Sequence, residues 1–249
     1  MTMTEFTDVT LPARRLRMNR VRQMWSALRL SSTARAVRRD GLTYLTPAKL
    51  LCLEQEVKSV LAKRCAGDIV EFGVALGGSS VLLAANATKV HPYHGFDLFG
   101  LIPPPDSEKD DDVSRERYRE IVSGTAKGIG GSTYYGYKDK LYEEVCETFA
   151  RYGTPVDGKI RTLHRGLFSE TLGEYRGRLV AFAHLDCDWY DPVRLCLTSI
   201  GDRLVKGGVI VVDDYDAYGG CRTAVDEFLQ ARPRQYIARE RASLVLEKA

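Results

Sequence analysis

Five short apolar runs narrow the choice of fold more than any other feature of this chain. They are DIVEFG from residue 68, YHGFDLF from 93, KIRTLHRG from 159, RLVAFAHLD from 178 and GGVIVVDDY from 207. Each has strand length and is rich in β-branched or aromatic residues. Stretches with helical spacing lie between them, such as GSSVLLAANATK after the first run and YKDKLYEEVCETFARYG before the third. Strands alternating with helices require crossover connections, and these give a mostly parallel sheet with helices on both faces. The tail adds two further strand-like runs, QYIAR and SLVLEK, which place an antiparallel strand near the C-terminus. The expected fold is therefore a doubly wound, Rossmann-like α/β sheet with a helical extension at its N-terminus.

At 249 residues the chain suffices for one large α/β domain and is short for two. The domain is expected over residues 41–249, preceded by a basic extension over residues 1–40. That extension carries Arg14, Arg15, Arg17, Arg20, Arg22, Arg29, Arg35, Arg38 and Arg39, yet the net charge is only +3. This charge does not call for nucleic acid. The extension reads instead as an amphipathic helix from about Arg17 to Arg38, packed on the domain or on a partner subunit of a dimer. Met24, Trp25, Leu28 and Leu30 are its expected anchors. No run reaches the roughly 18 apolar residues of a membrane span. The opening MTMTEFTDVTLPARRLRMNR has no apolar core behind its basic residues, so a cytoplasmic protein is expected. The six cysteines show no C-x-x-C pair and read as reduced, packed thiols.

Helix boundaries are marked locally. Thr46 as cap and Pro47 at the first helical position open a helix whose Leu50, Leu51, Leu53, Val57 and Val60 recur at helical spacing. After the fourth strand, Asp191 as cap and Pro192 as first residue predict a second such helix. Its inner face would be Val193, Cys196, Leu197, Ile200 and Leu204, and Gly207-Gly208 would stop it. Residues 100–137 resist this order. IPPP, five acids within residues 106–112 and a Gly-rich GTAKGIGGSTYYGY make too long a connection between strands, and the segment reads as a substrate lid. Its Tyr134, Tyr135 and Tyr137 suit stacking on a ligand ring or ordinary packing equally.

Three constellations carry chemistry. The first is Glu71-Phe72-Gly73-Val74-Ala75-Leu76-Gly77-Gly78-Ser79-Ser80, between the first strand and its helix. Glycines there let backbone approach a ligand, and the helix N-terminus offers free N–H groups. Three residues separate Gly73 from Gly77, so this is not the dinucleotide fingerprint, which disfavours a nicotinamide dehydrogenase. An acid at the strand end suits a ligand with an ammonium and a sulfonium. The second is Asp97, at the end of the second strand, where an acid accepts hydrogen bonds from ribose hydroxyls in doubly wound folds. The third is the pair His184-Leu185-Asp186-Cys187-Asp188-Trp189-Tyr190 and Val212-Asp213-Asp214-Tyr215. Neighbouring strands would bring four carboxylates to one edge, where they repel unless a cation neutralises them. All-oxygen ligation suits Mg²⁺. A scaffold without chemistry would gain nothing from such a cluster.

These motifs, with GFDLF and Cys221-Arg222-Thr223-Ala224-Val225-Asp226-Glu227-Phe228, resemble the macrocin O-methyltransferase family over roughly residues 42–230. The resemblance implies a class I methyltransferase fold and metal-dependent methylation of a sugar hydroxyl by S-adenosylmethionine. It implies Mg²⁺ on Asp186, Asp213 and Asp214, with Asp188 as general base. Glu71, Gly73, Ser79, Asp97 and Phe168 would hold the cofactor, Phe168 beside the adenine. The implied acceptor is a small molecule or oligosaccharide, either a natural-product glycoside or a polysaccharide such as a methylated mannoside. Cys187, Trp189 and the run Phe99-Gly100-Leu101-Ile102-Pro103 depart from the family's usual Gly, Leu and Phe-Glu-Gly-Leu-Pro, and they bear on the acceptor. Because D-x-D also occurs in metal-dependent glycosyltransferases and phosphatases, that reading stays open at this point, although neither class accounts for Glu71 and Gly73.

Overall fold

The internal strands form where the apolar runs lie: β1 is Asp68–Phe72, β2 Tyr93–Asp97, β3 Arg161–Arg165, β4 Val180–Leu185 and β5 Leu204–Val212. The tail adds β6, Tyr236–Glu240, and β7, Leu244–Lys248. The computed structural model describes residues 13–177 and 179–249; residues 1–12, the first part of the opening MTMTEFTDVTLPARRLRMNR from which no leader is expected, lie outside the described residues. The sheet order is β3-β2-β1-β4-β5-β7-β6. Strands β1 to β5 pair in parallel, while β7 runs antiparallel to both β5 and β6. The order therefore turns back between β1 and β4, the switch point at whose C-terminal edge open α/β sheets bind ligands.

Period-two alternation decides which face each strand residue serves. Ile69, Tyr93, Phe182, Val209 and Val211 face a core shared with helices α1 to α4 and α6 or the segments joining them. These helices are α1 (Ala13–Arg29), α2 (Ser32–Arg39), α3 (Pro47–Ala62), α4 (Gly78–Ala84) and, after α5 (Asp112–Val122), α6 (Leu141–Arg151). Val70, Phe72, Phe96, Ala183, Leu185, Ile210 and Val212 face the opposite core. That core is closed by α7 (Phe168–Glu174), α8 (Tyr190–Gly201) and α9 (Gly219–Gln230).

Three expectations change. The N-terminal helix is broken at Ser31, whose side chain caps α2 by accepting from the Ala34 amide. From Leu30 onward the arm is in the core, with Ala34 and Val37 fully buried. The expected anchors Met24, Trp25 and Leu28 are 58, 60 and 68% exposed. Helical spacing groups residues on one face but does not say which face the domain will cover. The helix after β4 ends at Gly201, so Leu204 begins β5 opposite Val180 rather than closing the helix. Gly207-Gly208 lie within β5, where the register slips between Val180 and Phe182. Asp191 does not cap α8: the capping position is Trp189, and no side chain of its own turn closes that end.

The expectations for α3 hold, with the Thr46 side chain accepting from the Lys49 amide and Leu50, Leu53, Val57 and Val60 buried. The insert over 100–137 is ordered around a small core of its own, Ile121, Ala126 and Tyr134, against which Ile102, Tyr135 and Tyr137 pack. All six cysteines are free thiols. Among the described residues no helix is long and apolar enough to cross a membrane.

Candidate active site

Two adjoining cavities open at the C-terminal ends of the parallel strands, of about 360 and 260 Å³. They share the wall formed by Gly73, Asp97, Tyr135, Asp186, Asp188 and Trp189. The larger is mainly apolar and includes Leu98, Ile102, Phe168 and Leu195. The smaller is the more polar of the two, with Lys49, Arg117, Asp213, Asp214 and the tyrosines 44, 134 and 218.

The strand ends bring the acids together through backbone pairing. The Asp186 amide donates to Phe72 O at 2.9 Å, and the Asp213 amide to Leu185 O at 2.9 Å. The ladder therefore continues one residue past each strand and sets the two motifs side by side. Gly73 makes this possible: its φ is +93°, and a Cβ there would lie 1.9 Å from the Asp186 carbonyl oxygen. Any side chain would push β1 and β4 apart at the site.

Three of the four acids converge. One carboxylate oxygen each of Asp186, Asp188 and Asp214 lies within 4.8 Å of the others. Asp188 has φ +58°, a left-handed conformation that Asp tolerates better than most residues. Its amide donates to Asp214 Oδ2 at 3.3 Å. The fourth acid is drawn away. Asp213 Oδ2 accepts from Lys49 Nζ at 2.7 Å, and Asp213 Oδ1 from Ser243 Oγ at 3.1 Å. Of the expected ligand set Asp186, Asp213 and Asp214, the structure thus gathers Asp186 and Asp214, and it brings in Asp188 where Asp213 was expected.

Proton affinity in the cluster follows from its depth. Burial first, and then the charges of Asp214 and Asp213, push Asp186 and Asp188 well above the usual carboxylate range. Burial and Asp213 raise Asp214 to about 6. Lys49 is pulled down by burial, but Asp213, Asp214 and Asp186 outweigh this and its ammonium is held more tightly than usual.

The cofactor-binding candidates divide. Gly73, Asp97 and Phe168 lie on the wall of the larger cavity. The Phe168 ring meets Phe72 edge-on at 5.5 Å. Asp97 also braces backbone: Oδ2 accepts from Val74 and Ala75 at 2.8 and 2.9 Å, and Oδ1 from Phe99 at 2.6 Å. Ala75 and Phe99 have φ of +47° and +55°, so Asp97 stabilises two loops in conformations that cost energy. Burial nonetheless raises its proton affinity above the ordinary carboxylate value, against the lowering by these amides. Neither cavity has Glu71 or Ser79 in its wall. Glu71 is fully buried within the sheet, where Tyr93 OH donates to Oε2 at 2.5 Å and His184 Nδ1 lies 3.1 Å from Oε1. Both oxygens are thus engaged inside the protein. Ser79 is buried in the first turn of α4.

Four cavity residues carried no signal in the sequence. Lys49 is one more surface-type lysine on an amphipathic helix, and only the packing of α3 beside β5 brings it to Asp213. Arg117 comes from α5 of the insert, pairs with Glu120 at 2.8 Å and lies 5.4 Å from the Tyr134 ring centre. Tyr44 and Tyr218 sit in connections flanking the site.

The family model for macrocin-O-methyltransferase (TylF) matches residues 7–237. A tetracenomycin-C rhamnosyl 4'-O-methyltransferase of Streptomyces olivaceus is 33% identical over 180 residues, which is 71% of this chain and 63% of that protein. The demethyldecarbamoylnovobiocin O-methyltransferase of Streptomyces niveus is 28% identical over 183 residues, again 71% and 63%. The matched stretch thus spans less than two thirds of the length of these relatives. Among solved structures, the O-methyltransferase NovP superposes with a TM-score of 0.69 at 22% identity, covering 84% of this chain and 82% of that one. CalS11, a calicheamicin methyltransferase, gives 0.60 at 18% identity with 99% of each chain covered. These two likenesses show a shared Rossmann-like methyltransferase fold. The matches do not favour a glycosyltransferase or phosphatase reading of Asp186-Cys187-Asp188.

Proposed function

The chain belongs to the macrocin-O-methyltransferase family, and from that premise we propose that it transfers the methyl group of S-adenosylmethionine to a sugar hydroxyl. The acceptor is a natural-product glycoside, as the names of the relatives suggest for those proteins, or a longer saccharide. One observation carries the reading: an apolar cavity and a more polar, acid-lined one meet across the Asp186–Asp188 strand end. The apolar cavity suits the adenosine of the donor, with Phe168 offering an aromatic edge or face. The polar cavity suits a hydroxylated ring, with tyrosines to pack on it.

The acid cluster fits a divalent cation. Hard oxygen donors at this spacing suit Mg²⁺, and three carboxylates this deep are costly without a counter-charge. Asp186 and Asp214 would hold it, since motif pattern and geometry agree on both. When bound, the cation supplies positive charge against the negative charge that develops on the acceptor oxygen. Lys49 steadies Asp213 and adds a fixed positive charge at the back of the cluster. Asp188 is the general base: its raised proton affinity suits it to take the hydroxyl proton. The acceptor oxygen then forms its bond to the methyl carbon as the sulfur–carbon bond breaks, and S-adenosylhomocysteine leaves. The protein contributes mainly alignment and control of charge.

Labelled S-adenosylmethionine with a panel of glycosides, with and without chelator, tests this. Transfer that survives complete removal of divalent metal, or the Asp186→Ala substitution, refutes the cation's role. Binding of a nucleotide sugar in place of S-adenosylhomocysteine refutes the donor. Asp188→Asn is expected to lower kcat with cation affinity retained; loss of cation affinity instead would make Asp188 a ligand.

A further inference from the structure

The two helices that follow the acidic motifs lack what helices normally have. α8 begins directly after Asp188-Trp189 and α9 shortly after Asp213-Asp214, and no side chain in either capping position satisfies the exposed amides. The missing acceptors come from the insert. Asp110 Oδ1 accepts from the Tyr190 amide at 2.9 Å, and Asp111 Oδ2 from the Gly219 amide at 2.7 Å. Asp110 is only 4% exposed. The acid run that looks like a solvated charge cluster in sequence therefore ends in two caps made over long range.

Room for these caps has been left in α9. A Cβ on Gly220 would lie 2.0 Å from Asp110 Oδ1, and one on Gly219 would lie 2.8 Å from Asp111 Oδ2. Further ties join the same segments. Trp189 Nε1 donates to Pro103 O at 2.9 Å, and Lys109 Nζ reaches Tyr190 OH at 2.8 Å and Glu227 Oε1 at 2.6 Å. The backbone they hold is the backbone of the cluster. Asp188 is in a left-handed conformation immediately before Trp189, and the Asp214 carbonyl accepts from the Ala217 and Tyr218 amides at 3.0 and 3.1 Å, just before Gly219.

We propose that Asp110 and Asp111 are positioning residues: by capping α8 and α9 from the insert, they hold Asp188 and Asp214 in their converged arrangement. A strained Asp188 persists only if its surroundings over-determine it, and the Asp110 cap fixes the residue on the far side of Trp189. The caps also tie formation of the carboxylate cluster to closure of the insert, which walls both cavities. This role rests on the reading of the cluster as the catalytic centre.

The test uses the full-length protein with Asp110→Ala, Asp110→Asn, Gly220→Ala and, as a control for lost charge, the exposed Asp112→Ala. Divalent-cation affinity is titrated with Mn²⁺, S-adenosylhomocysteine affinity is measured by calorimetry, and backbone exchange over residues 186–190 and 214–220 by mass spectrometry. Because the turn loosened at Tyr190 carries the ligand Asp186 as well as Asp188, Asp110→Ala is expected to weaken Mn²⁺ binding about tenfold, the low end for groups that orient metal ligands, with S-adenosylhomocysteine affinity within about twofold. Asp110→Asn keeps the acceptor oxygen and is expected to restore near wild-type affinity, Gly220→Ala to match Asp110→Ala, and Asp112→Ala to change nothing. Exchange should rise in both segments for Asp110→Ala alone among the Asp variants. A folded Asp110→Ala protein with unchanged Mn²⁺ affinity or unchanged exchange overturns the proposal. Wild-type protein that binds no divalent cation refutes the reading of the cluster instead, and exchange alone then decides whether the caps hold it.

Discussion

Replacing Lys49 with methionine removes the cation that pairs directly with Asp213 at the back of the acid cluster. Lys49 Nζ lies 2.7 Å from Asp213 Oδ2 and 3.1 Å from the Asp213 carbonyl oxygen. Its side chain is 27% exposed and that of Asp213 is 7% exposed. Methionine keeps the stem's packing while removing the charge, which leaves Asp213 with Ser243 Oγ as its side-chain partner. Breaking a fully buried pair costs about 3–5 kcal/mol, but a quarter of this lysine is open to solvent, which brings the expected cost nearer ~2 kcal/mol. For a chain of this size that corresponds to a fall in Tm of roughly 4–8 °C. Differential scanning calorimetry at pH 7.5 in chelator measures it. Adding Mg²⁺ should recover part of the loss, because a bound cation replaces the missing charge among the carboxylates. Lowering the pH through about 6, where Asp214 titrates, should also narrow the gap as the cluster takes up protons. A variant that melts within 1 °C of wild type in chelator would refute the view that the cluster is charged and in need of a counter-charge.

Other expectations can be checked separately. Phe168→Ala should weaken S-adenosylhomocysteine binding about tenfold, or ~1.4 kcal/mol, through lost aromatic contact; an affinity within twofold of wild type would place the adenosine elsewhere. Tyr93→Phe leaves Glu71 without its 2.5 Å donor inside the sheet and should cost ~2 kcal/mol in urea unfolding, whereas a cost near zero would mean that His184 satisfies Glu71 alone. His94 and His164, whose ring nitrogens lie 3.0 Å apart, are both lowered to about 4, His94 by burial and His164 by burial and then His94. The unfolded chain takes up these protons first, so stability is complete above about 6.5 and declines as pH falls toward 4, by up to about 1.4 kcal/mol per pH unit for each histidine. If urea midpoints of wild type and a His94→Gln/His164→Gln variant fall in parallel between pH 7 and 5, the pair is not responsible. Divalent-cation affinity should rise with pH through about 6 as Asp214 is freed of its proton; an affinity flat from pH 5 to 7.5 would contradict this.

The acids at the strand ends were legible because strand formation and face choice are local. DIVEFG, RLVAFAHLD and VIVVDDY alternate or run apolar over strand length, so Asp186 and Asp213-Asp214 had to emerge at the same edge once the strands were parallel neighbours. Gly73 was legible for the same reason, as a turn glycine after β1. The misplaced residues fail on non-local grounds. Asp191 has every local mark of a cap, yet the Tyr190 amide is met by Asp110 across a separation of 80 residues. Met24, Trp25 and Leu28 form a proper apolar stripe, but the domain covers the face that carries Ser26 and Leu30. The partners of Glu71 are equally non-local, Tyr93 on β2 and His184 on β4.

The sequence by itself therefore determined the strands, the doubly wound class and the family, because spacing, turn glycines and motif order are properties of neighbours along the chain. Tertiary structure alone decided that Asp188 rather than Asp213 joins Asp186 and Asp214, that Lys49 stands behind Asp213, and that an acidic insert closes the starts of α8 and α9. Each of those outcomes is a competition between groups far apart in sequence for the same buried hydrogen bond or charge, and only packing at short range in a low-dielectric interior selects the winner.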